Sequence, residues 1–263
     1  MFTIEQRDAL RARMLQLADH DERVVAAAAV GSLAVGTGDR YSDLDLTFGI
    51  ADSVPVKHVL EEWTRTLAAE QDAVQLADLQ VGPTIYRVFL MPNALQFDLS
   101  MTPATEFRPA GPRFQLLFGE TAVEPEAHAR PPGGLSIPTP AVAGDIFGWG
   151  VIYALHARAC VERGRVWQAE HYVGAVRDHA LALACLQRGL PAVQARSYDD
   201  LPPETLVGFA GTHVESGEVD ALRRALAASV AALLHQGAEA DLPDADVVAE
   251  RLVELGSTNN SAS

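Results

Sequence analysis

Positive charge is what this chain has least of. Its 263 residues carry 20 basic against 35 acidic side chains, a formal net charge of −15 at neutral pH. So acidic a surface repels a phosphate backbone, which argues against a polynucleotide substrate and favours a cationic small molecule. Lys57 is the only lysine, so any grip on phosphate must come from arginine forks, backbone N–H groups or a metal ion. Cysteine is scarce too. Cys160 and Cys185 make no CxxC pair and fall in helix-patterned segments, as expected of buried, reduced thiols in an intracellular protein. The apolar runs are too short to span a bilayer. Met1–Leu17 is charged and amphipathic rather than a signal sequence, so a cytoplasmic protein is expected. The eight histidines form no HxxxH or Cys/His set of the kind that binds zinc. Nor is there a GxSxG or a Cys/His nucleophile pattern. Gly31–Gly38 follows an apolar run as a P-loop would, but Thr37 stands where that motif needs lysine.

What is present is a globular composition, 48% hydrophobic and 21% charged, in a chain long enough for one large domain or two modest ones. Thr3 can cap a first helix carrying Ile4, Leu10, Met14, Leu15 and Leu17. Strands are expected at Val24–Val30, Asp43–Ile50, Val74–Leu79, Thr84–Met91 and Leu95–Met101, with a helix from Pro55 to about Glu70. That order suggests a small mixed sheet backed by helices. Proline and glycine crowd the stretch between Glu120 and Pro140, which reads as a domain boundary. Beyond it the pattern is helical, at Ala141–Glu162, Val166–Gly189, Pro203–Thr212, Glu218–Gln236 and Ala245–Leu255. Gly189 and Gly237 read as helix stops. The fold class is therefore α+β, a mixed-sheet domain over 1–125 and an all-α domain over 136–255. The small polar tail 256–263 reads as disordered.

The chemistry concentrates near the N-terminus. After the apolar run VVAAAAV come Gly31-Ser32, a polar loop, and Tyr41-Ser42-Asp43-Leu44-Asp45-Leu46. Residues i and i+2 of a strand share a face, so Asp43 and Asp45 project together while Leu44 and Leu46 face a core. Two carboxylates that close repel unless a cation lies between them. Oxygen-only ligands of this kind suit Mg²⁺ with substrate phosphates. A third acid, Asp98, sits between Phe97 and Leu99 in a strand-patterned segment, where charge needs a partner. Three such acids could form a two-metal phosphoryl-transfer centre.

Gly31-Ser32, ten intervening residues, Asp43-Leu44-Asp45-Leu46 and a later apolar-Asp98-apolar strand resemble the nucleotidyltransferase superfamily that includes DNA polymerase beta. A catalytic domain followed by a helical one is similar, within it, to the antibiotic nucleotidyltransferases, which move a nucleoside monophosphate from ATP onto a drug hydroxyl. The segment Arg163–Tyr172, followed by Arg177, resembles their second domain.

The resemblance implies a metal-dependent adenylyltransferase with two Mg²⁺ ions and ATP as co-substrate, acting on a small hydroxylated acceptor of aminoglycoside type. Asp43, Asp45 and Asp98 would hold metal; Gly31 and Ser32 would orient the triphosphate, with Arg40 and Arg177 as further phosphate contacts. Asp98 or Glu170 would take the acceptor's proton, and Glu170 could instead meet a drug ammonium. Trp167, Glu170, Gly174, Arg177 and Leu181 share one helical face, which a Glu170–Arg177 packing pair would also explain. Two other functions fit the motif: nucleotide transfer to a protein side chain, and a non-catalytic nucleotide-sensing or antitoxin-like protein. Alanine and leucine along Ala221–Leu234 allow a homodimer as readily as a monomer.

Overall fold

The computed structural model describes residues 2–109, 113–122, 143–192 and 195–256. The chain divides into two compact units, Met1–Thr139 and Pro140–Ser263. Most of the proline- and glycine-rich boundary segment lies outside the described residues, as does the tail from 257 onward.

The first unit begins with helix α1 (Ile4–Asp19), whose capping box is formed by Thr3 and Gln6. The Gln6 N–H donates to Thr3 Oγ1 at 3.2 Å, and the Thr3 N–H to Gln6 Oε1 at 2.9 Å. Strand β1 (Val24–Val30), a one-turn helix α2 (Gly31–Ala34), strand β2 (Leu44–Ile50) and helix α3 (Val56–Gln71) follow. Strands β3 (Val74–Val81), β4 (Thr84–Leu90), β5 (Gln96–Pro103) and β6 (Phe114–Phe118) come next, with a 3₁₀ turn at Ala104–Glu106. The sheet order is β3-β4-β5-β2-β1-β6. Among the described strands only β2 and β5 run parallel, in a register that sets Asp45 opposite Asp98 and Leu46 opposite Leu99; their other pairings are antiparallel.

The period-2 pattern decides which face each side chain takes. Leu44, Leu46, Phe48, Phe97, Leu99 and Met101 are buried in one cluster with Leu10 and Met14 of α1 and Val59, Leu60, Trp63 and Leu67 of α3. The acids stand on the opposite face. There Gly49 leaves room for the Phe107 ring, which a side chain at 49 would crowd.

The second unit is helical, with α4 (Ala143–Glu162), α5 (Val166–Gln187), α6 (Pro203–Val207), α7 (Val219–Glu239) and α8 (Ala245–Gly256). Helix α4 packs on α5 and α7, α5 on α7, and α7 on α8. Gly189 stops α5 as expected. Its φ is +67°, and the Leu190 N–H returns to the Cys185 carbonyl at 2.9 Å. Both cysteines are free and buried. Among the described residues no helix is long and apolar enough to cross a membrane.

Several expectations need correction. Gly237 does not stop α7, which runs to Glu239; it is glycine because the Phe147 ring fills the space of a Cβ. Helix α6 ends at Val207 rather than Thr212, with Gly208 as its cap and Thr212 Oγ1 donating to the Phe209 carbonyl at 2.7 Å. Of the alanines and leucines along α7, Ala221, Leu222, Ala225, Leu226, Ala232 and Leu233 are buried, Ala227, Ala228 and Leu234 are half-buried, and Ala231 is exposed. On α1 the buried stripe is Arg7, Leu10, Met14 and Ala18, and Ile4 is exposed. Strand β6 was not anticipated, since Phe-Gln-Leu-Leu-Phe does not alternate cleanly.

Candidate active site

Gly31 leaves β1 with φ +71°, a left-handed conformation that glycine adopts at little cost. The turn read from the sequence is in fact the start of α2, whose Leu33 and Ala34 pack against the core. The next residues fold back on it: the Thr37 N–H donates to the Ser32 carbonyl at 3.1 Å, and Thr37 Oγ1 reaches the same oxygen at 3.3 Å. Glycine at 31 has a second cause. A Cβ there would run into Asp45 Oδ2. The backbone of the α2 turn therefore lies directly against one of the acids.

The loop leading to β2 is tied down at both ends of a short turn. Asp39 Oδ1 accepts from the Tyr41 N–H at 2.9 Å and from Ser42 Oγ at 3.1 Å, and Ser42 Oγ accepts from the Asp39 N–H at 2.9 Å. Arg7, 5% exposed, donates through Nη1 to the carbonyls of Asp39 at 2.8 Å and Ser42 at 3.0 Å. A guanidinium on the buried stripe of α1 thus fixes the residue before Asp43. Sequence reasoning missed it, although an arginine spaced with Leu10 and Met14 was a visible signal. Arg40, proposed for phosphate, lies over the Tyr41 ring at 4.6 Å, with Nη2 donating to the Tyr41 hydroxyl at 2.5 Å.

Asp43, Asp45 and Asp98 converge. Each is half-buried, and each offers a carboxylate oxygen within 4.8 Å of the others. Asp43 immediately precedes β2, Asp45 is its second residue, and the parallel register puts Asp98 beside Asp45. The electrostatics match that crowding. Burial, then the negative charges of Asp43 and Asp98, push the Asp45 carboxyl well above the usual carboxylate range. Asp98 is raised by burial first and by Asp43 second. The Gln96 amide partly offsets this, Nε2 donating to Asp98 Oδ1 at 2.9 Å.

Charge held at such cost calls for a cation. The donors are all hard oxygens with no imidazole or thiolate among them, a set suited to Mg²⁺ rather than to zinc. The three residues thus fit a divalent ion on their own chemistry. All three acids belong to the first unit.

Glu170 and Arg177 belong to α5 of the second unit. The face they were expected to share is not a continuous apolar stripe: Trp167 is 85% exposed and Glu170 is exposed, while Leu181 is buried. The helix buries Ala169, Val173, Val176, Ala180 and Leu183 instead. Arg177 pairs with Asp178 at 3.5 Å, in place of the Glu170–Arg177 pair weighed from the sequence.

No protein-family model matches the chain, and no curated protein matches it by sequence. Among solved structures, an aminoglycoside 6-adenyltransferase from Bacillus subtilis aligns with 92% of this chain and 94% of its own, at 12% identity and a TM-score of 0.34.

Proposed function

We propose that the first unit is the catalytic domain of a metal-dependent nucleotidyltransferase. It moves a nucleoside monophosphate, AMP from Mg·ATP, onto a hydroxyl of a small acceptor of the aminoglycoside type and releases pyrophosphate. The observation that carries this reading is the convergence of Asp43, Asp45 and Asp98 on one sheet face, with the Gly31 turn pressed against Asp45. Divalent ions held by these oxygens would neutralise the triphosphate and stabilise charge developing on the leaving pyrophosphate.

The remaining work falls to the chain. Gly31 and Ser32 bring backbone N–H groups and a hydroxyl to the phosphates without an intervening side chain. Arg40 supplies a guanidinium contact, the role that lysine cannot take here. The Asp98 carboxylate accepts the proton of the acceptor hydroxyl. Its oxygen then bonds to the α-phosphorus as the bond to pyrophosphate breaks. An acidic surface draws a polycationic acceptor toward the site.

The test is pyrophosphate release from Mg·ATP, screened against aminoglycosides, lincosamides and protein acceptors. Release that depends on an amino-sugar acceptor is expected. Labelling of a protein would move the acceptor class to side chains, and tight nucleotide binding with no turnover would indicate a sensing role. Failure to bind either divalent ion or nucleotide would refute the assignment.

A further inference from the structure

Gln96 is the first residue of β5 and shares the acid-bearing face with Asp98 two positions on. It is 5% exposed. One half of its amide is used: Nε2 donates to Asp98 Oδ1 at 2.9 Å. The other half is not, since Oε1 is buried without a hydrogen-bond partner in the protein. A buried amide left half-satisfied is unfavourable for folding, and an apolar side chain of the same shape would avoid the loss. The strand offers no need for a polar residue here, because the backbone pairing of Gln96 with Leu90 is independent of the side chain.

We infer that Gln96 is a positioning residue for the metal centre: its amide N–H fixes the Asp98 carboxylate so that the oxygen it leaves free faces Asp43 and Asp45. The inference rests on the reading of the three acids as a divalent-metal site and adds a residue to it. A carboxylate at the start of a strand has a broad, weakly restrained terminal torsion. A donor on one oxygen removes that freedom and keeps the carboxylate from turning both oxygens onto one ion. Hydrogen-bonded outer partners of this kind set both the orientation and the affinity of a ligand. Gln96 reaches this role through the period-2 geometry that already brings Asp43 and Asp45 together.

The experiment is Mn²⁺ titration of the full chain, without nucleotide, followed by electron paramagnetic resonance. Wild type, Gln96→Met and Asp98→Asn are compared, each with its melting temperature. Gln96→Met keeps the length of the side chain and removes both polar atoms. Its Mn²⁺ affinity is expected to fall about 10- to 100-fold, with a melting temperature equal to or above that of wild type. A merely structural glutamine would give the reverse, a lower melting temperature and unchanged affinity. Should the methionine variant not fold, Gln96→Asn retains the amide one methylene short of Asp98 and is expected to show the same loss of affinity.

If Asp98→Asn loses Mn²⁺ while Gln96→Met binds as wild type does, the role of Gln96 is overturned and the metal centre stands. If wild type itself fails to bind Mn²⁺, the metal centre falls, and the role of Gln96 with it.

Discussion

The Cβ that residue 31 lacks would fall on Oδ2 of Asp45. Backbone conformation and site geometry thus ask for the same residue, since φ at 31 is also +71°. Gly31→Ala should lose about 1–3 kcal/mol of stability from the strained left-handed conformation alone. The larger consequence lies in the site, because the Asp45 carboxylate must move for the methyl group to fit. Transfer activity and Mn²⁺ binding should both drop at least tenfold. Gly36→Ala is the control: its φ is +68°, but a Cβ there meets nothing within 4 Å. It should show comparable strain with the metal affinity kept. Equal effects of the two substitutions on metal binding would refute the close approach.

Asp45 and Asp98 both hold protons more tightly in the fold than in an unfolded chain, chiefly because they are buried. The sign of the pH dependence follows. Below about pH 4, the ordinary carboxylate range, both states are protonated and nothing is lost. As pH rises from there toward the raised folded values, the unfolded chain releases protons that the fold retains, so stability falls. Each tenfold difference in proton affinity is worth about 1.4 kcal/mol. Metal-free protein should therefore unfold at lower denaturant at pH 8 than at pH 5. Asp45→Asn should abolish transfer and gain stability, more at pH 8 than at pH 5. Saturating Mg²⁺ should restore the wild type at pH 8, and a chelator should reverse it. Equal midpoints for metal-free wild type and Asp45→Asn at pH 8 would contradict the raised carboxylates.

The acids were legible because an acid between large apolar neighbours in a strand is a local contradiction, shown by Asp45 between Leu44 and Leu46 and by Asp98 between Phe97 and Leu99, while Asp43 stands two residues before Asp45. Strands β2 to β5 were legible from their alternation to within two residues at each end, whereas β6 was not. What could not be read depends on partners distant in sequence. Arg7 looks like a solvent-facing helix residue until the loop at Asp39–Ser42 is placed beside it. Gln96 looks like ordinary strand polarity until the amide is seen on Asp98. Gly237 carries the same local signal as Gly189, yet one accommodates a ring and the other a left-handed turn. Glu170 and Arg177 were grouped by helical spacing alone, and spacing does not say which side of a helix is covered.

Arg7 separates loop order from metal chemistry. Its guanidinium joins two backbone carbonyls of the segment leading to Asp43, and hydrogen bonds from a charged group contribute about 1.5–3 kcal/mol. Arg7→Met keeps the apolar stem in the α1 stripe and removes both donors. Stability should fall by roughly that amount. The Michaelis constant for Mg·ATP should rise more than the turnover number falls, because the carboxylates survive but their loop loses its anchor. An unchanged Michaelis constant in a destabilised variant would confine Arg7 to folding.

Gly237 and Phe147 test the packing of the second unit independently of the site. A methyl group at 237, in the last turn of α7, would press into the Phe147 ring of α4, and overpacking of a close-packed core costs about 1–3 kcal/mol. Against this, alanine favours a helix interior over glycine by about 1 kcal/mol. The two effects can be told apart by a double-mutant cycle. Gly237→Ala alone should destabilise, because the steric loss exceeds the gain in propensity. Combined with Phe147→Leu, which withdraws the ring, the same substitution should become neutral or stabilising. A coupling of at least about 1 kcal/mol, read from denaturation midpoints, is expected for side chains in such direct contact. Additive effects would mean that the Phe147 ring does not occupy the space a Cβ at 237 would take.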